Sequence, residues 1–497
     1  MNILFILTDD QGAWALNCAG TKSLRTPNID SLAQTGTRFD NFFCASPVCS
    51  PARASILTGR MPSAHGIHDW LRSGNLDRDL IVNNGPSNTN DVFANEDKPI
   101  QYLRGQVCYT DLLAEKGYNC ALSGKWHLGD SVNPQHGFNR WYTIGRGGCN
   151  YNNPDMVENG KVKYEKGSYV TDLITDRALV FLDEMAGNKK PFYLSVHYTA
   201  PHSPWEADQH PSGLIAEYDK SDFLDVPYAP PHPWSVETAG AAMSRHDRLR
   251  GYFAAITAMD AGVGRLLKAL DDKGLREDTL VIFTSDNGMN MGHHGIWGKG
   301  NGTFPQNMYD TSVKVPFIAS YPSMIPGAKV CSEMVSAYDI FPTMIDLLNL
   351  DKSACTGLPG KSFLPLLTGN RAQGNVALGG VSQDCVSQSG DERDVIIFDE
   401  YGPVRMIRTP YWKYVHRYPY GPNELYDLKN DPGEEKNLAA DKTHSALIRE
   451  MRNRMENWFL RYSDPRVDGT REEVTGYGQL CSAGVYAQKP VKYFPGK

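Results

Sequence analysis

The stretch "YFAAITAMDAGVGRLLKALDDKGLREDTLVIFTSDN", residues 252–287, decides the fold class. Its first two thirds repeat apolar residues at three- and four-residue spacing and stop near Gly274, which predicts an amphipathic helix over 252–274. Its end, "LVIFTSD" (280–286), is a short unbroken apolar run that closes on an acid. Such runs mark strands buried on both faces, because a strand with one wet face alternates instead. The same sign recurs in "ILFIL" (3–7), "YNCALSG" (118–124) and "FYLSVHY" (192–198). Further helical periodicity lies in "TDLITDRALVFLDEMAG" (171–187) and "DIFPTMIDLLNL" (339–350). Strands alternating with helices predict an α/β fold with a mostly parallel sheet flanked by helices.

Beyond about residue 370 the pattern changes. "DVIIFDE", "VRMIRT" and "WKYVHRY" alternate with turn residues between them, and "THSALIREMRNRMENWFLRY" (443–462) is an amphipathic helix. This predicts two parts: an N-terminal domain over 1–368 and a smaller α+β subdomain over 369–497. The second part would contain an antiparallel sheet, one helix and an irregular tail. The Gly-, Ser-, Gln- and Asn-rich stretch 369–393 would link them.

Composition sets outer bounds. The 497 residues are 41% hydrophobic and 22% charged, as in ordinary globular proteins, and the net charge of −7 argues against a nucleic-acid partner. An anionic substrate must therefore be met by local positive charge. No stretch approaches the roughly 20 apolar residues of a membrane span. "MNILFILTDDQG" lacks a basic start and a cleavage site, so it reads as a first strand rather than a signal peptide. The expected compartment is the cytoplasm, or the periplasm or exterior if a leader preceded this chain. Ten scattered cysteines form no CxxC pair, which argues against a zinc ribbon and for mostly free, buried thiols.

Ligands of open α/β sheets sit beyond the carboxyl ends of the strands. Asp9 and Asp10 follow the first strand, and Asp286 and Asn287 follow "LVIFTS". Four hard oxygen donors suit Ca2+, or Mg2+, better than zinc. Alone, Asp-Asp after a strand is more often a solvated turn. "SGKWHLG" supplies Lys125 and His127, "HYTAPHSP" supplies His202, and "GHHGIWGKGN" supplies Lys299. Singly, each is more often a surface charge or a satisfied histidine. Together, beside an acidic metal site, they fit an anionic tetrahedral ester, with metal and lysines holding oxygens and histidines moving protons.

"CSPARASILTGR" (49–60) resembles the C-x-P-x-R signature of the type I sulfatases, within the alkaline phosphatase superfamily. "DDQG", "GKWHLG", "APHSP", "SDNG", "GKG" and "ELYDLKNDPGEEKNLA" follow in family order, so the resemblance spans Asp9 to about residue 440 and is closest to bacterial carbohydrate sulfatases. It implies hydrolysis of O-sulfated sugars or other sulfate monoesters. It also implies that a separate maturation enzyme oxidises Cys49 to Cα-formylglycine, reading Pro51 and Arg53. In the implied mechanism the hydrated aldehyde at residue 49 attacks sulfur, with Asp286 as the base. His202 and Lys299 protonate the leaving oxygen, His127 then releases sulfate, and Lys125 orients the nucleophile. Asp9, Asp10, Asp286, Asn287 and residue 49 would hold Ca2+.

Two rivals remain at this level: a phosphate mono- or diester hydrolase of the same superfamily, and a silent glycan-binding protein. A silent protein should have lost some of these residues, and this chain keeps them all. The pocket walls are expected from 65–75, 145–153, 292–302 and the surroundings of Tyr309. Trp70 or Trp297 would stack on a sugar face, and His68, Asp69 or Arg104 would bind hydroxyls or an acidic group.

Overall fold

The computed structural model of the chain describes residues 1–71, 100–188, 190–236, 240, 242–368, 393–398, 404–418, 420–468, 474–475 and 482–483. Ten strands form one sheet: β1 (Asn2–Asp9), β2 (Thr37–Phe39), β3 (Asn119–Gly124), β4 (Arg140–Ile144), β5 (Asp155–Glu158), β6 (Lys161–Tyr164), β7 (Phe192–Pro201), β8 (Thr279–Ser285), β9 (Phe317–Ser320) and β10 (Lys329–Cys331). Their order is β10-β2-β9-β8-β1-β7-β3-β4-β5-β6. The central block β8-β1-β7-β3-β4 is parallel. Both flanks turn antiparallel, through β9 on one side and β5 and β6 on the other, so the sheet is mixed with a parallel centre.

The unbroken apolar runs have the expected cause. Ile3, Phe5 and Leu7 point into one core and Leu4 and Ile6 into the other, all essentially fully buried. Each such side chain contributes roughly 1.5–3 kcal/mol before entropy is charged against it. On the first face pack α1 (Cys49–Thr58) and the helix Ile340–Leu348. On the second pack the helices Val170–Ala186 and Arg245–Asp272. The last of these begins seven residues before the predicted 252. Ser244 caps it by accepting from the Asp247 amide at 3.1 Å, which starts the helix through a polar turn that carries no apolar period.

The C-terminal antiparallel sheet has four strands, Val395–Phe398, Val404–Arg408, Trp412–Arg417 and Glu424–Asp427, paired in sequence order. The helix Ser445–Tyr462 lays Met451, Met455 and Phe459 on it. Two cations of the strand Trp412–Arg417 grip the first part of the chain. Lys413, fully buried, donates to the Met308 carbonyl at 2.8 Å and lies 2.5 Å from both Asp310 and Glu434. Arg417 donates to the Gln306 carbonyl at 2.8 Å. Between those two anchors Asn307 donates to the Lys299 carbonyl at 2.9 Å, so the small sheet braces the segment that carries Lys299.

The expected linker 369–393 lies, except for its last residue, outside the described residues, as do Cys385 and Cys481. Cys18, Cys44, Cys49, Cys108, Cys120, Cys149 and Cys331 are free thiols. The tail, expected to be irregular, carries a short strand pair, Val474–Thr475 with Ser482–Ala483. No described helix is long and apolar enough to cross a membrane.

Candidate active site

Four neighbouring strands deliver the polar residues to one edge of the sheet. β1 ends on Asp9, and Asp10 follows with a left-handed backbone, φ 61°. Pro201, which pairs with Asp9, closes β7 and leads to His202. Ser285, which pairs with Thr8, closes β8 and leads to Asp286 and Asn287. β3 ends at Gly124 and leads to Lys125 and His127. α1 begins at Cys49 after the extended Val48, and Arg53 lies one turn further on the same face.

These groups converge on Cys49. Its Sγ lies 3.3 Å from Asp9 Oδ1, 3.8 Å from Asp10 Oδ1 and 2.7 Å from Lys299 Nζ. Lys299 also donates to Asp10 Oδ1 at 2.6 Å, and Lys125 donates to Asp9 Oδ2 at 2.6 Å. Arg53 donates from Nε to Asp286 Oδ2 at 2.9 Å and from Nη1 to the Lys125 carbonyl at 2.9 Å. His202 Nε2 stands 3.6 Å from Asp10 Oδ2. Asp9, Asp10, Arg53, Lys125, Asp286 and Asn287 are all buried.

Electrostatics sort these groups into roles. Burial alone would raise Asp9, but Lys125, His202, Arg53 and Lys299 together hold it well below the usual carboxylate range. Asp10 is lowered in the same way, with Lys299 and His202 overcoming burial. Burial and the Asp9 charge push Asp286 up to about 7, and Arg53 only partly opposes them. Burial, then Asp9, pushes the Cys49 thiol up, so the unmodified cysteine is a neutral thiol and a weak nucleophile. Burial, then Lys125 and Arg53, push His127 well down, which keeps it a neutral base. His127 Nε2 pairs with the Leu71 carbonyl, an acceptor only, so Nε2 carries the hydrogen and Nδ1 is the basic nitrogen. His202 Nδ1 pairs with the Ser203 carbonyl at 2.7 Å by the same logic, which leaves Nε2 as its basic nitrogen.

The donor set fits a hard divalent cation. Ligand atoms of Asp9, Asp10, Cys49 and Asp286 lie within 4.8 Å of one another. Among the described residues the buried Asn287 side-chain oxygen finds no hydrogen-bond partner, while its nitrogen donates to Asp10 at 2.8 Å. An orphaned amide oxygen among three carboxylates is the arrangement a Ca2+ or Mg2+ ion satisfies. Three carboxylates (Asp9, Asp10, Asp286) face three fixed cations (Arg53, Lys125, Lys299). A divalent ion added to that balance makes the site cationic, as a sulfate ester requires.

The family model described as Sulfatase matches residues 1–350. The chain belongs to the sulfatase family. It is similar to the N-acetylglucosamine-6-O-sulfatase of Bacteroides thetaiotaomicron (26% identity over 93% of this chain and 87% of that protein). It is also similar to the ulvan-active sulfatase of Formosa agariphila (28% identity, 90% and 79%). Among solved structures, that of Ps i-CgsB in complex with k-i-k-neocarrahexaose superposes with a TM-score of 0.68 at 25% identity, covering 93% of each chain. As a sulfatase the protein is a sulfuric ester hydrolase.

This sulfatase has a cavity of about 560 Å³ directly over Cys49, His127, His202 and Lys299. Its walls are Trp70, Leu71, the segment from Arg146 to Asn150, Asn153 to Asp155, Tyr164, Ser203, Pro204 and Asn301. Of the six side chains expected to bind sugar, Trp70 lines it, and the other five are engaged elsewhere. His68 is buried against the Val467 carbonyl at 2.7 Å, and burial pushes it down to about 4. Asp69 accepts from the Trp70 amide at 2.7 Å. Arg104 lies on the surface beside Gln101. Trp297 packs under the Arg248 guanidinium at 4.6 Å, and Tyr309 stacks on His294 with ring centres 3.8 Å apart. Sequence reading missed Asp155 and Tyr164, which sit on the antiparallel flank β5–β6; the Asn159-Gly160 pair between them was the available signal.

Proposed function

We propose that the protein is a carbohydrate sulfatase that works through Cys49 after its oxidation to formylglycine, with Ca2+ held by Asp9, Asp10, Asp286, Asn287 and residue 49. The observation that carries this reading is the convergence of Lys299, Asp9, Asp10 and Asp286 on Cys49 at the floor of the cavity. The high thiol pKa direction supports it too, since a neutral buried thiol is no use as a direct nucleophile. The carbohydrate class rests on the sugar sulfatases to which the chain is similar. When bound, the cation offsets the carboxylates and polarises an ester oxygen, and the oxidised residue 49 supplies the nucleophilic hydroxyl.

The chain's own residues do the rest. Arg53 and Lys125 neutralise Asp286 and Asp9 and fix the floor around residue 49. Asp286, held by the Arg53 Nε donor beside residue 49, is placed to take the proton of the nucleophile. Lys299 holds a sulfate oxygen or protonates the leaving oxygen from its place beside residue 49. His202, its ring fixed by the Ser203 carbonyl, serves the departing sugar oxygen from Nε2, which must first take up a proton to act as the acid. His127 is the base for release of sulfate from residue 49.

Assay of sulfate against phosphate release from paired aryl esters tests the reaction class. Predominant phosphate release would sink the sulfatase reading. No turnover of any sulfate ester by fully matured protein would favour a silent glycan-binding protein.

A further inference from the structure

One wall of the cavity is built by a single hairpin. Strands β5 and β6 pair with Glu158 opposite Lys161 across Asn159-Gly160, both at positive φ (51° and 72°). This is the tight two-residue turn that fixes hairpin register. The register sets Asp155 opposite Tyr164, and both line the cavity. Arg146 enters from the loop after β4, and the neighbouring Gly145 amide donates to the Asp155 carbonyl at 2.7 Å. The same loop is seated on the cavity floor: a Cβ at Gly147 would lie 2.2 Å from His127 Nε2. Arg146 Nε stands 3.7 Å from Asp155 Oδ2, beyond a direct hydrogen bond, and the side chains are 22% and 13% exposed. A fork of donors and a carboxylate acceptor are thus held side by side, facing the same cavity as His127.

We propose that Arg146 and Asp155 form the sugar-reading subsite, binding two neighbouring hydroxyls of the sulfated sugar, one as donor and one as acceptor. The proposal rests on the carbohydrate sulfatase reading and narrows its substrate class. The pair carries no net charge and so offers a second anion no net attraction, which matches a neutral monosulfated sugar better than a sulfated uronic acid or a disulfated unit. Hydrogen-bonding sites reject analogues that leave their polar groups unpaired by large factors. The subsite should touch sugar hydroxyls only, so an aryl sulfate should not sense it.

The test measures kcat/KM of wild type, Arg146→Ala, Asp155→Ala and Asp155→Asn. The substrates are 4-nitrophenyl sulfate and a panel of defined monosulfated neutral sugars and uronic acid sulfates. Wild type should prefer a neutral sugar. Each alanine variant should lose about 10²-fold or more on that sugar, while 4-nitrophenyl sulfate stays within about threefold. Asp155→Asn, which keeps an acceptor oxygen, should recover part of the sugar activity and narrow the gap to uronic acid sulfates. Equal losses on aryl and sugar sulfates, unchanged sugar activity in Arg146→Ala, or a wild-type preference for uronic acid sulfates would each overturn the subsite. All three leave the sulfatase reading standing. Absence of wild-type turnover on every sulfate ester would overturn both.

Discussion

Replacing His202 with alanine separates leaving-group protonation from every other task of the site. The side chain is about a quarter exposed, and its hydrogen bonds run to the adjacent Ser203. Its loss should therefore cost the fold about 1 kcal/mol or less. Its Nε2 faces Asp10 across 3.6 Å, at the mouth of the cavity over Cys49. A sugar alcohol departs badly as an alkoxide, whereas nitrophenolate departs unaided. General acid help is worth roughly 10²–10⁴-fold, or about 2.7–5.4 kcal/mol of barrier. The variant should lose that much kcat/KM on the preferred sugar sulfate. On 4-nitrophenyl sulfate the loss should stay near tenfold, the residue of losing one ring beside Asp10. The assay is paired steady-state kinetics on matured protein, with circular dichroism to confirm the fold. Equal losses on both substrates would refute the reasoning and make His202 a holder of sulfate oxygens instead.

Asp9→Ala should remove bound Ca2+ and turnover together, read by metal analysis of the purified protein alongside the assay; full metal content in an Asp9→Ala, Asp286→Ala double variant would defeat the ligand assignment. Lys413→Met leaves buried Glu434 without its cation, while Asp310 keeps Lys314 and Arg408, and should lower stability by about 3 kcal/mol in urea unfolding; a change under 1 kcal/mol would show that the brace is not energetically coupled. His68 is held near a pKa of about 4 against an ordinary 6.5, so the folded protein binds its proton less readily than the unfolded chain. Its contribution is complete above pH 6.5 and is lost as pH falls toward 4, about 3 kcal/mol in all at 1.36 kcal/mol per pKa unit. His68→Asn should flatten that part of the stability profile, and an unchanged slope would contradict it.

What the sequence makes legible follows from where the constraints lie. β1, β3, β7 and β8 are readable because burial on both faces leaves no room for alternation. The polar residues that end these strands are readable for the same reason: they are the first to escape the sheet, and the parallel register brings them together. The first two turns of the helix Arg245–Asp272 are not readable by apolar period, since Ser244 and Asp247 start it through a cap. β5 and β6 escape notice because they are four residues each and half wet. The cavity wall is the least legible part. Trp297 and Tyr309 have the right chemistry for a sugar platform, but Arg248 and His294 pack against them. That choice is made by tertiary contacts between segments far apart in the chain, which no local pattern records.

The central claim is that sulfate esters are cleaved by an oxidised residue 49. The most direct measurement couples intact mass to turnover on one set of samples: wild type made with and without a formylglycine-generating enzyme, and Cys49→Ala. Oxidation of the cysteine to formylglycine lowers the mass by about 18 Da. Sulfate release from a sugar sulfate should rise in proportion to the fraction carrying that loss, and Cys49→Ala should be folded and inactive. Wild-type protein with the full cysteine mass that turns over as fast as the modified form would contradict the claim.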